Sequence, residues 1–108
     1  GGRKNEVFIH LIQLIEKYYM QEGGVEFYAD KLCLSPKYLS AVSKSICGYT
    51  VQELVFKAII RKSISLLKNT QKDIQEISNA FGFPNASYFG TFFKKQVGVS
   101  PQQYRKNL

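Results

Sequence analysis

The sequence predicts an all-α protein of seven helices, in which two helix-turn-helix units are bridged by one long central helix. Three observations lead there. Apolar residues recur at helical spacing nearly throughout, and no stretch keeps the alternation of a strand. Helix-start and helix-stop signals punctuate the chain at short intervals. Residues 38–54, YLSAVSKSICGYTVQEL, also lie over residues 88–104, YFGTFFKKQVGVSPQQY, at a shift of fifty positions, so one structural unit occurs twice.

The elements follow in order. Residues 5–20 place Phe8, Leu11, Ile12, Ile15 and Tyr19 on one face, with Val7, Leu14 and Tyr18 beside them. This first helix is apolar over more than half its circumference, which predicts deep burial, and Gly23-Gly24 ends it. Residues 25–33 form a short second helix. Ser35-Pro36 is an N-cap and N1 pair opening a third, which Gly48 stops. Thr50 and Glu53 make a capping box for a fourth helix running to about Lys68. Its apolar positions are Val51, Leu54, Val55, Ala58, Ile59, Ile64, Leu66 and Leu67. Asp73 caps a fifth helix, Asn85 a sixth that ends at Gly98, and Ser100-Pro101 starts the last.

Each repeat unit is thus a short helix, a tight turn and a longer helix, the helix-turn-helix pattern. Upstream of the matched blocks, Ala29–Leu39 aligns with Ser78–Phe89, with one extra residue in the second copy. Two copies are too few for a solenoid. The expected organisation is one domain over 1–108, with a first unit at about 5–48, a linker helix at about 50–68 and a second unit at about 73–106. The opening Gly1-Gly2 carries no weight in this reading.

Residues 81–97, FGFPNASYFGTFFKKQV, concentrate aromatic area. Tyr88, Phe89, Phe92 and Phe93 share a helix face that predicts core, and Phe81 and Phe83 close that core from the turn. Stacking on nucleic-acid bases is the alternative reading of such aromatics, but it fits strands better than a helical stripe. The opposite face carries Ser87, Gly90, Thr91 and Lys94, at i, i+3, i+4 and i+7. The third helix repeats the arrangement with Lys37, Ser40, Ala41 and Lys44. Glycine within a helix costs about 1 kcal/mol against alanine. A face of short side chains makes sense where the helix backbone must approach something closely, such as the floor of a major groove; a merely polar surface is the plainer alternative. The fourth helix is about 28 Å long at 1.5 Å per residue. One turn of B-DNA is about 34 Å, so a strut of that size could set two reading helices in successive grooves, with some bending of the DNA.

Charge is consistent with this. The net charge is +7, yet residues 1–30 hold three basic and five acidic residues, and residues 31–108 hold twelve and three. A cationic part of this kind attracts a polyanion, nucleic acid or an anionic membrane surface, although it also serves solubility. An amphipathic membrane binder would have to expose the apolar faces that the core requires. No apolar run is long enough to span a membrane, and no secretory leader is visible in GGRKNEVF. Cys33 and Cys47 lack metal-site spacing and are expected as reduced, buried thiols, with no cofactor or metal. His10 is expected at the core or its boundary, without a partner acid for catalysis. No phosphate loop or metalloprotease motif occurs, so the chain does not read as an enzyme. Asn85-Ala86-Ser87 matches a glycosylation sequon, but Asn85 is better explained as a helix cap. A protein-interaction module with weak DNA affinity is the main competing reading.

Residues 73–106, DIQEISNAFGFPNASYFGTFFKKQVGVSPQQYRK, resemble the signature of the DNA-binding domain of AraC-type (AraC/XylS) transcription regulators: an isoleucine-rich short helix, then GF, SYF, FKK and G-x-SP-x-x-YR. LCLSPKYLSAVSK with the following G-x-T is similar to the family's weaker first motif, and the resemblance covers residues 5–108. It implies a bacterial, cytoplasmic and nucleoid-associated protein that binds double-stranded promoter DNA, activates transcription and contacts RNA polymerase. By motif position, Lys37, Ser40 and Ala41 would face bases from the first reading helix, and Ala86, Ser87, Gly90 and Thr91 from the second, with Asn85 at its start. Lys44 and Lys94 would lie near phosphates. Such domains usually follow an N-terminal sensor or dimerisation region, and alone this one would be a monomer. The sequence departs from the family at Ala41, often Arg, at Ser43, often Phe, and at Ser78, often Ala. Losing arginine at 41 removes a guanine contact worth about 1–3 kcal/mol of discrimination. That shifts the first helix toward phosphate and shape contacts, and the expected site toward A/T-rich sequence.

Overall fold

In the computed structural model, which describes residues 2–108, the chain folds into seven helices and, among those residues, no strand. Gly1 lies outside the described residues. In chain order the helices are α1 (Gly2–Tyr18), α2 (Val25–Lys31), α3 (Pro36–Cys47), α4 (Val51–Asn69), α5 (Ile74–Ala80), α6 (Ala86–Val97) and α7 (Pro101–Lys106). Two compact units result, one ending at Ala58 and the other starting at Ile59, with the division inside α4.

In the first unit α1, α2 and α3 pack on one another. Its core is Val7, Leu11 and Ile15 from α1, Tyr28 and Ala29 from α2, Leu39 and Val42 from α3, and Val51, Val55 and Ala58 from α4. Burial pushes the Tyr28 hydroxyl up to about 12, and that hydroxyl donates to the Glu22 carbonyl at 2.7 Å. In the second unit α5 and α7 pack on α6. Leu67, Ile77, Phe81, Phe89 and Phe93 are buried there, with Phe89 and Phe93 in contact at 5.9 Å between ring centroids. Phe92 is half-buried and packs on Phe83. Arg105 of α7 fastens the end of α4: its guanidinium donates to the carbonyls of Leu67 at 3.1 Å and Lys72 at 2.6 Å, and to those of Leu66 and Thr70 at 3.4 Å. Leu66 and Leu67 belong to the last turn of α4, and Thr70 and Lys72 to the loop that follows it, so one side chain ties down both.

The expected caps form. Ser35, Asp73, Asn85 and Ser100 each accept from a backbone N–H three residues on. Thr50 and Glu53 exchange their two bonds, and Asp73 and Glu76 build a second capping box. Helix α1 differs from expectation at both ends. It begins at Gly2, and it closes at Tyr18, whose carbonyl accepts from Gln21 and Glu22. Gly24 instead serves as the N-cap of α2.

Three burial expectations are corrected. His10 is exposed, and Ile9 beside it is 55% exposed, because α1 has neighbours along only one stripe. Tyr88 is 58% exposed rather than core. Phe89 and Phe93 turn inward, and Tyr88, one residue earlier on the helix, lies toward the rim. Cys33 is exposed as well, and Cys47 is half-buried.

Cys33 has a conformational role. In both units the turn between the short and long helices is the same hydrogen-bonded motif. Leu34 N–H donates to Ala29 and Cys33 N–H to Asp30; Phe83 donates to Ser78 and Gly82 to Asn79. This pair of bonds requires a left-handed residue at its centre. Gly82 supplies it at φ 71°, and Cys33 adopts it at φ 57°. A side chain in that region costs about 1–2 kcal/mol. Chemical denaturation should therefore find Cys33→Gly more stable than the parent by about 1 kcal/mol and Gly82→Ala less stable by a similar amount.

Candidate nucleic-acid interface

The two longer helices of the repeat are each twelve residues and present one face to a core and one to solvent. On α3, Leu39 and Val42 are buried, while Lys37, Ala41 and Lys44 are exposed and Ser40 is half-buried. On α6, Phe89 and Phe93 are buried, while Ser87, Thr91 and Lys94 are exposed and Ala86 and Gly90 are half-buried. The structure thus groups Lys37, Ser40, Ala41 and Lys44 away from the α3 core, and Ser87, Gly90, Thr91 and Lys94 away from the α6 core, whereas Ala86, half-buried and seven residues before Phe93, starts the helix on its core flank. Asn85 belongs to the start of α6. Its side-chain oxygen accepts from Tyr88 N–H at 2.8 Å, so it shapes the helix entry.

Gly90 is informative because nothing in the protein requires it. A Cβ added there meets no atom within 4 Å, and its backbone is ordinary helix. The fold carries the cost of a helical glycine without a packing reason. Thr91 bonds back to the Ser87 carbonyl at 3.1 Å, which holds its short side chain close to the helix. Lys44 donates to the Gly48 carbonyl at 3.4 Å, so its ammonium stays near the end of α3. Glu53 is held below the usual carboxylate range, first by the Thr50 backbone N–H and then by the Thr50 hydroxyl, with Lys44 and Lys57 contributing.

Two departures from the expected pattern have structural partners. Ser43 is buried and its hydroxyl donates to the Tyr49 carbonyl at 2.6 Å, tying the end of α3 to the loop before α4. Ser78 is buried and donates to the Asn85 carbonyl at 2.9 Å, which fixes the residue that caps α6. Both bonds link the ends of the exposed helices to their own unit. Sequence reasoning missed the role of Ser78 because the partner is a backbone atom seven residues away, and it placed Tyr88 in the core by counting it with its aromatic neighbours.

A family model described as a helix-turn-helix domain matches residues 28–107. The C-terminal domain of AraT, a response regulator from Geobacillus stearothermophilus, superposes with a TM-score of 0.88 at 36% identity, covering 94% of this chain and 85% of that one. This chain belongs to the AraC-type helix-turn-helix family. The AraC-type fold recurs in the DNA-binding domain of AdpA, solved with a target DNA, at a TM-score of 0.81 and 18% identity, covering 92% of this chain and 89% of that one. Among curated relatives, the transcriptional activator RhaS of Mannheimia succiniciproducens is 32% identical over 96% of this chain and 39% of its own length. The bifunctional transcriptional activator/DNA repair enzyme AdaA of Bacillus subtilis is 30% identical over 89% of this chain and 46% of its own. The chain spans between a third and a half of the length of these two AraC-type relatives.

Since Gly90 is open space within an ordinary helix, Gly90→Ala should raise stability by about 1 kcal/mol in chemical denaturation. Destabilisation would show that the glycine serves the fold.

Proposed function

We propose that this chain is a sequence-specific reader of double-stranded promoter DNA in a transcription regulator, with α3 and α6 as its two reading helices entering successive major grooves. The observation that carries this is the repeated two-faced helix: a buried core face opposite an exposed face of short side chains ending in lysine. Base edges sit on a groove floor that only a closely approaching backbone can reach with short side chains. Lys37, Ser40 and Ala41 face bases from α3, and Ala86, Ser87, Gly90 and Thr91 from α6, with Asn85 at the groove entry. Lys44 and Lys94 take phosphates. Ala41, Ala86 and the Thr91 methyl offer apolar contact to thymine methyls, which favours an A/T-leaning site.

The module works by binding and does not catalyse a reaction. In the whole protein it acts beside a sensor or dimerisation region, in the bacterial cytoplasm, and the bound regulator contacts RNA polymerase. Alone the module is a monomer, because two reading helices in one chain already give two points of attachment. The DNA reading gains support from the family and from the exposed lysines at matching places in both copies.

Phosphate contacts reveal themselves through salt. Lys44→Ala and Lys94→Ala should each weaken binding equally on all duplexes and flatten the salt slope by about one. A loss confined to particular sequences would contradict a phosphate role.

A further inference from the structure

Beside the reading face of α6 runs a second exposed strip. Tyr88 is 58% exposed, and its ring leans on Phe83 with centroids 5.8 Å apart. Lys95 is exposed seven residues later, two turns along the same flank. One exposed aromatic is ordinary on a protein surface. Here it is braced by a neighbouring ring and aligned with a cation, bordering the residues that face the groove.

The first unit has only a weaker counterpart. Tyr38 is half-buried at the matching position, and Ser45 stands where Lys95 does. Charge follows the same asymmetry. Residues 1–58 hold seven basic and six acidic residues, whereas residues 59–108 hold eight and two. A tyrosine hydroxyl and an ammonium both donate hydrogen bonds, so one ligand suits both: a run of phosphate oxygens.

We propose that Tyr88 and Lys95 form a sugar–phosphate grip on the flank of α6 that α3 lacks, so that the second unit holds DNA more firmly than the first. This rests on the DNA reading above. Short side chains on the groove floor contribute specificity with little charge, and the rim of the helix supplies the affinity. The grip carries no sequence preference of its own, because a backbone contact sees every base step alike.

The test compares the chain with its Tyr88→Phe, Lys95→Gln and Tyr38→Phe variants, using a duplex selected by the parent and an unrelated duplex, each titrated at several salt concentrations. Thermal melting of each variant checks the fold, which Tyr88→Phe should leave unchanged. Tyr88→Phe should weaken binding about fivefold on both duplexes, the loss of one hydrogen bond. Lys95→Gln should flatten the salt slope by about one, and Tyr38→Phe should change nothing. Unchanged affinity for Tyr88→Phe and Lys95→Gln, with the parent still bound, would overturn the grip alone. So would a loss confined to the selected duplex, which would make Tyr88 a reader of bases. No binding by the parent at low salt would overturn the DNA reading and the grip with it.

Discussion

A helix of about twelve residues is marginal on its own in water, and it persists when a face is buried against other elements. Helices α3 and α6 meet this constraint with almost no redundancy. Leu39 and Val42 anchor one, Phe89 and Phe93 the other, and all four are fully enclosed. Their other faces are then released from any part in holding the fold. That release is what permits Ala41, Ser87, Gly90 and Thr91, residues with too little surface to stabilise a small domain but with room for a ligand to come near. The rest of the structure serves the same end. Capped starts, left-handed turns and the serine ties at Ser43 and Ser78 orient α3 and α6, each within its own unit.

The two copies solve one geometric problem with different chemistry. Helix α3 is anchored by the aliphatic Leu39 and Val42, whereas α6 is anchored by Phe89 and Phe93, aromatic rings that bury more area per residue. The first places a cysteine in the left-handed turn, the second a glycine. The first is close to neutral, and the second carries most of the positive charge. Copies that diverge in this direction suit a protein whose two halves contribute unequally to holding a polyanion.

Much of this was legible in the sequence because its signals are local. Ser35, Thr50, Asp73, Asn85 and Ser100 each begin a helix through a bond to an N–H three residues away, and the residue types alone identify them. The fifty-residue repeat alone marks both candidate faces. What failed were judgements of burial. Tyr88 and His10 sit among apolar residues at helical spacing, which points to the core or its boundary, and Cys33 is expected inside because free thiols usually are. Whether a helix flank is covered depends on which neighbour arrives there, and in so small a unit there are too few neighbours to cover every apolar position. The turn around Cys33 escaped notice for a related reason: cysteine gives no hint of a left-handed backbone, whereas glycine at 82 does.

The central claim is that two reading helices engage DNA together, and selection from a pool of randomised duplexes tests it most directly. The account predicts enrichment of a site with two short blocks about one helical turn, some 34 Å, apart, and a steep fall in affinity for the winner as salt rises. A single enriched block, or binding at low salt with no enriched sequence at all, would contradict it.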